Sequence, residues 1–284
     1  MSIALVTDST SDIEPQRAAA LGITIVPLFV VFGDRSYRDY LDLSRRDFFA
    51  KLASEEILPT TSQPTPQMFE DAFRPLVEAG HDVLCLTISS HLSGTINAAK
   101  AAANQFPDAK IVVYDSESAA GGLGIMALHA QELIAQGCSW EDLLAALDRE
   151  RSVQRLYACI SDLSHLQRTG RIGKAQQVLG TLMKIVPVIV LRDGQVSAEA
   201  QVRTFSRAQS TMVDLALQAV TDVSKARFLV MHTDAPPLAA AVMEQLRGRL
   251  DGVQPRLLDI LEAGPVIATH AGPGAVGICV AQDT

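Results

Sequence analysis

At 284 residues, 48% hydrophobic and 20% charged, the chain is long enough for one large or two ordinary α/β domains and too apolar for intrinsic disorder. Its formal net charge of −8 argues against wholesale nucleic-acid binding, because a phosphate backbone demands clustered Lys and Arg. No apolar run approaches the roughly 20 residues of a membrane helix.

Residues 3–6 predict a strand, and Thr7-Asp8-Ser9-Thr10-Ser11-Asp12 follows as a polar turn able to cap a helix starting near Ile13. The start carries no basic stretch ahead of an apolar run, so a cytoplasmic location with at most transient membrane contact is expected. Residues 23–32 are β-branched and aromatic, broken at Pro27, and Gly33-Asp34 reads as a hairpin turn before residues 36–40. A helix capped by Ser44 follows. Thr60-Thr61-Ser62-Gln63-Pro64-Thr65-Pro66 reads as a rigid loop in which the prolines remove donors, with Thr65 capping the next helix.

Residues 83–88 form a strand-type run that opens into Ser89-Ser90-His91-Leu92-Ser93-Gly94-Thr95 and then an Ala-rich helix over 96–106. Open α/β sheets bind ligands at this end of a strand, where the next helix offers unpaired N–H groups. A lone hydroxyl there is an ordinary cap. The hydroxyls of Ser89, Ser90, Ser93 and Thr95 around Gly94, a residue without a Cβ, instead suit an anionic or carbonyl oxygen. Residues 111–114 supply another parallel strand, and helices over 119–136 and 140–150 complete a βαβ-type half.

The second half opens with a strand over 156–160 and a basic stretch containing Arg168, Arg171 and Lys174. Strands over 186–191 and 196–202 flank Arg192-Asp193-Gly194, a hairpin signal. Ser206 is expected to cap a helix to about Val223. A strand, a helix and a strand follow over 228–232, 236–250 and 256–260. A Gly/Pro-rich loop then carries His270 into a final strand over 278–281. The expected architecture is α/β in two domains, 1–152 with a mainly parallel sheet and 153–284 with a mixed sheet. With no linker at 151–154, the cleft between the halves is the expected ligand site.

The chemistry is narrowed by what the motifs omit. Neither GxxxxGK[ST] nor a strand-linked GxGxxG is present, so the chain has no ATP site of its own, and Gly121-Gly122-Leu123-Gly124, the nearest lookalike, reads as glycines that loosen a helix for close packing. Cys85, Cys138, Cys159 and Cys279 lack CxxC spacing and read as free thiols. Asp8, Asp115 and Glu117 sit at strand ends where capping explains them, and His129, His165 and His232 lack zinc spacing, so no metal or cofactor is expected. A serine hydrolase using Ser93 with His270 as base is the enzymatic alternative, but Leu92-Ser93-Gly94 lacks the GxSxG elbow and His270 has no evident acidic partner. Arg168, Arg171 and Lys174 are either a solvated cluster or a functional basic face, and Arg203 could pair with Glu199.

Taken in order, Thr7-Asp8-Ser9, Thr61-Ser62-Gln63-Pro64, Leu92-Ser93-Gly94-Thr95, Gly170-Arg171-Ile172 and His270-Ala271-Gly272-Pro273-Gly274 resemble the DegV family, fatty-acid-binding proteins that serve bacterial fatty acid kinase. Thr169 stands where that family often has glycine, and Ala271 where threonine is usual. The resemblance implies a two-domain DegV-like fold that buries a long-chain free fatty acid between its domains. It implies further that the carboxylate is presented to a separate ATP-dependent kinase subunit for acyl phosphate formation, a step in phospholipid metabolism. The chain would then be the lipid-binding subunit, with no catalytic residue of its own. Thr61 and Ser93 would bind the carboxylate, with Ser62, Gly94, Thr95 and Gly272 in the same loops. His270 would add a hydrogen bond or partial charge, and Arg171 and Arg203 a basic face toward ligand or kinase. A regulatory lipid-binding module would differ only in what it docks to.

Overall fold

The computed structural model describes residues 2–55, 57–178 and 185–283. Its contacts divide the chain into two units, Met1–Asp148 with Gly264–Val266, and Arg149–Ala263 with Ile267–Thr284.

In chain order the first part runs β1 (Ile3–Asp8), α1 (Pro15–Leu21), β2 (Ile23–Val26), β3 (Phe29–Phe32), β4 (Arg35–Arg38), α2 (Arg45–Ser54), β5 (Thr60–Ser62), α3 (Pro66–Glu78), β6 (Asp82–Thr87), α4 (Thr95–Ala103), β7 (Ile111–Asp115), α5 (Gly121–Ala135) and α6 (Trp140–Val153). Among the described residues, β2-β1-β6-β7 form an all-parallel sheet. A small antiparallel sheet, β4-β3-β5, stands apart from it. The expected rigid loop at Thr61 is therefore a short strand, in which Thr61 pairs with Val30. Sequence periodicity could not reveal a three-residue strand, because its evidence is the partner strand. The turn after β1 also differs from expectation: Asp8 caps a 3₁₀ turn at Ser9–Ser11, and α1 begins only at Pro15 without a side-chain cap. Proline's fixed φ suits that first helical position.

On one face of the parallel sheet, Phe69 and Phe73 of α3 and Ala98, Ala99 and Ala102 of α4 pack on Val6, Val26, Val83 and Cys85. Strand alternation turns the buried Leu5, Leu84 and Leu86 the other way, and α5 contacts both β1 and β6. That helix buries Leu123, Ile125, Met126, Ala127 and Ala130. A Cβ added at Gly124 would lie 2.5 Å from the Ser11 carbonyl oxygen, so the glycine is what permits this approach.

The second part runs β8 (Arg155–Cys159), α7 (Ser164–Arg168), β9 (Val186–Arg192), β10 (Gln195–Val202), α8 (Phe205–Gln218), β11 (Ala226–His232), α9 (Pro236–Arg249), β12 (Leu257–Glu262), α10 (Pro265–Ala271) and β13 (Val276–Gln282). Its sheet, ordered β10-β9-β8-β13-β11-β12, is mixed: β11 and β12 are parallel and the other pairs antiparallel. The Asp-Gly hairpin forms as expected, with Asp193 at φ 51° and Gly194 at φ 74°, the left-handed pair that a tight two-residue turn requires. Met212, Val213 and Ala216 of α8 and Val242, Met243 and Leu246 of α9 pack on Val188, Val190, Phe228, Val230, Ile278 and Val280.

Two expectations need correction here. Thr204, not Ser206, caps α8 by accepting the Arg207 N–H, and the helix ends at Gln218 rather than near Val223. His270 lies on α10, not in a loop. Pro265 and Gly272 are the entry and exit residues of a helix rather than marks of an irregular segment.

Candidate functional site

In the first unit, the chain leaving β6 folds back at once. The Ser89 N–H bonds the Ser118 carbonyl at 2.8 Å, and the Leu92 and Ser93 N–H groups bond the Ser89 carbonyl at 3.0 and 3.1 Å. Ser93 Oγ lies 2.9 Å from Thr95 Oγ1 and accepts the Thr95 N–H at 3.3 Å. Gly94, the N-cap of α4, has no side chain with which to cap it. A Cβ at Gly94 would collide with the Gln63 side chain. The Gln63 amide thus covers Gly94, and the Thr61-Ser62-Gln63 segment meets the Ser93-Gly94-Thr95 turn. Thr61 is half-buried, Ser62 exposed, Ser93 half-buried and Thr95 buried.

In the second unit, Arg171 follows α7; its N–H bonds the Leu166 carbonyl at 2.9 Å and its guanidinium donates to the Thr169 carbonyl. Partial burial, and then the charges of Arg171 and Arg168, push His270 down to about 4. The imidazole is therefore neutral at pH 7, able to donate or accept a hydrogen bond beside two permanent cations. Gly272, at φ 72°, ends α10; its carbonyl accepts the Thr233 hydroxyl at 2.6 Å, and a Cβ there would meet the His165 ring at 2.8 Å. Arg203 is exposed between β10 and α8. Glu199 pairs with Arg192 at 3.8 Å, so the surface partner considered for Arg203 is engaged elsewhere.

A third group was not anticipated from the sequence. Asp8, Asp12 and Asp39 are buried in the first unit. Asp8 accepts the N–H and hydroxyl of Thr10 and the Ile88 N–H. Burial still raises it to about 6, against those bonds. Asp12 accepts the Tyr40 hydroxyl and the Gly264 N–H, each at 2.9 Å, and burial raises it to about 7. Burial puts Asp39 well above the carboxylate range; the Ser9 hydroxyl and Val266 N–H face it without making a well-aligned bond. Arg45 supplies the local cation, 5.0 Å from the Tyr40 ring centre and ion-paired with Glu14. Capping and turn preferences explain each aspartate singly, so only their shared burial marks them. Among the described residues, no cluster of His, Cys, Asp or Glu could hold a metal ion, and no helix is long and apolar enough to cross a membrane.

The family model described as an uncharacterised protein of the DegV family matches residues 2–283. This chain belongs to the DegV family. The DegV domain-containing protein of Deinococcus radiodurans is 36% identical over 99% of this chain and 98% of its own length. The structure of a DegV family protein from Thermus thermophilus, described by its fatty acid binding, superposes with a TM-score of 0.93 at 35% identity, covering 99% of this chain and 100% of that one. A fatty acid (stearic acid)-binding protein from Eubacterium ventriosum does so with a TM-score of 0.90 at 26% identity, covering 99% and 98%. The DegV resemblance read from five separated loops is thus correct, and the α/β architecture with one parallel-dominated and one mixed sheet is that of the DegV fold.

Proposed function

We propose that this DegV family chain binds a long-chain fatty acid and presents its carboxylate to a separate ATP-dependent kinase subunit, which forms the acyl phosphate. The observation that carries this reading is the packing of Gln63 on Gly94, which puts the hydroxyl-bearing β5 segment against the Ser93–Thr95 turn in a family with fatty-acid-binding members. Hydroxyls and backbone N–H groups hold a carboxylate without a fixed counter-charge. Affinity would come chiefly from the tail, since each buried methylene contributes about 0.8 kcal/mol. The Ser93 hydroxyl is engaged with Thr95, which favours a receptor over a nucleophile.

The division of labour follows from chemistry. Acyl phosphate formation needs ATP, Mg²⁺ and electrostatic stabilisation of the transferring phosphoryl group. This sequence carries no phosphate loop, so those parts are assigned to the partner. Arg171 and Arg203 are assigned to the meeting of partner, phosphate and carboxylate, because a planar guanidinium holds two oxyanion atoms at once. Lipid extraction and mass spectrometry of freshly purified protein, followed by fatty acid titration, test the binding. Thr61→Ala and Ser93→Ala should weaken binding and phosphorylation together, whereas Arg171→Ala and Arg203→Ala should leave binding nearly intact and impair phosphorylation by the kinase subunit. Absence of any bound acyl chain together with no binding on titration would remove the proposal. Normal phosphorylation of both arginine variants would remove their assignment.

A further inference from the structure

The chain leaves β6 through three successive backbone N–H groups, each taken by a different acceptor. Asp8 Oδ2 accepts Ile88 at 2.7 Å, the Ser118 carbonyl accepts Ser89 at 2.8 Å, and the Asp115 carboxylate accepts Ser90 at 3.2 and 3.3 Å. Asp8 ends β1 and Asp115 ends β7, the two strands that flank β6, and Ser118 follows β7. Ile88 is thus held from one side, and Ser89 and Ser90 from the other. All of these residues lie within the first unit.

The ladder between β1 and β6 stops at the pair Thr7–Leu86, because β1 runs into the 3₁₀ turn at Ser9–Ser11. The Asp8 carboxylate carries the bonding past that point. Its Oδ1 caps the 3₁₀ turn by accepting the Thr10 N–H at 3.0 Å and the Thr10 hydroxyl, while Oδ2 takes Ile88. One fully buried side chain therefore closes the exits of two adjacent strands. Burial raises it to about 6, so at pH 7.5 it is ionised and both oxygens accept. Asparagine has a single accepting oxygen, and its NH₂ would face one of the three donors.

From Ile88 the path to the Ser93 and Thr95 hydroxyls is short and closed on itself. Ser89, fully buried, accepts the Leu92 and Ser93 N–H groups on its carbonyl and the His91 N–H at 3.2 Å on its hydroxyl. Ser93 Oγ in turn meets Thr95 Oγ1. We propose that Asp8 is a positioning residue for the Ser93–Thr95 turn: by taking the Ile88 N–H it fixes the root of the arc on which those hydroxyls stand. Ser118 and Asp115 support the same arc from the β7 side, so loss of Asp8 tilts the arc rather than releasing it.

That the Ser93 and Thr95 hydroxyls receive a fatty acid carboxylate rests on the proposed function; that Asp8 places them does not. The test therefore begins with ligand-free protein at pH 7.5, well below each melting temperature. Amide NMR spectra and hydrogen exchange are recorded for wild type, Asp8→Asn, Asp8→Ser and Thr10→Val. Serine is a good cap but too short to serve Thr10 and Ile88 together, so Asp8→Ser separates the cap from the clamp. Thr10→Val removes one donor to Oδ1 and leaves the Ile88 bond in place. Both Asp8 variants should speed exchange of the Ile88 amide about tenfold and shift the Ser93 and Thr95 signals. Fatty acid affinity should fall about tenfold in both, as expected for one lost charge-assisted bond. Thr10→Val should lower the melting temperature while Ile88 exchange, the Ser93 signals and the affinity stay as in wild type. Wild-type Ile88 exchange and Ser93 signals in Asp8→Ser would show that Asp8 only caps, and overturn the proposal. An unprotected Ile88 amide in wild type would overturn it without any variant. Shifted signals in the Asp8 variants of a protein whose wild type binds no fatty acid uphold the positioning and overturn only the lipid reading.

Discussion

At the scale of single residues, glycines separate two kinds of constraint. Gly94→Ala meets the far end of a flexible side chain, Gln63, which can swing aside. The expected cost in stability is below about 1 kcal/mol, but the displaced amide should loosen the contact between the Thr61 segment and the Ser93 turn. Fatty acid titration should therefore show a larger effect than thermal melting. Gly264→Ala meets the Tyr40 ring, which is held by Asp12 and Arg45. It should cost about 1–3 kcal/mol, as overpacking does, read from urea unfolding. Equal, small losses at both positions would show that Tyr40 is not anchored. The hydroxyls of Ser93 and Thr95 were legible in the sequence because a strand followed by a hydroxyl-rich turn has local signals. Asp12 and Asp39 were not, because an aspartate in a turn looks the same whether it is solvated or buried.

At the scale of elements, the long helices and the hairpin at Asp193-Gly194 were legible, since periodicity and turn chemistry are carried by neighbours in sequence. Helix α10 was missed because the density of Gly and Pro around it outweighed Pro265 and Gly272 as helix punctuation. Strand β5 was missed because its reality lies in its pairing with β3. Two predictions belong here. Gly124→Ala in α5 gains about 1 kcal/mol of helix propensity, but its Cβ would lie 2.5 Å from the backbone oxygen of Ser11, which cannot rotate away. The net effect should be a loss of about 1–3 kcal/mol, and a gain in stability would show that the turn after β1 yields. Arg227, 3% exposed at the start of β11, is held by both carboxylate oxygens of Asp283 beyond β13, at 2.9 and 3.1 Å. Asp283→Ala leaves that cation buried with one fewer anion and should cost about 3 kcal/mol in denaturant unfolding.

For the molecule as a whole, the buried ionisable groups set opposing responses to pH. Asp8 and Asp12 are raised from 3.8 to about 6 and about 7. The folded chain thus keeps protons that the unfolded chain releases above about pH 4, and their contribution to stability falls as pH climbs through 7. His270 is lowered from 6.5 to about 4, so its contribution grows over pH 4 to 6.5 and is then complete. Asp39 is also raised well above 3.8 by burial, so between pH 6.5 and 7.5 the falling slope is shared by Asp12 and Asp39: wild type should lose on the order of 1 kcal/mol or more, and Asp12→Asn should reduce that loss without abolishing it. An unchanged slope in Asp12→Asn would exclude Asp12 as its source. By itself the sequence determined most of the element types and their order, β5 and α10 excepted, the parallel and mixed character of the two sheets, the hydroxyl turn at Ser93 and the DegV resemblance. Each is written in periodicity, turn chemistry or motif spacing, which act along the chain. Only the tertiary structure decided that Gln63 covers Gly94, that His270 is neutral beside Arg168 and Arg171, and that Asp12 holds the residue before α10. Those facts depend on desolvation and on contacts between residues far apart in sequence, and neither exists until the chain is packed.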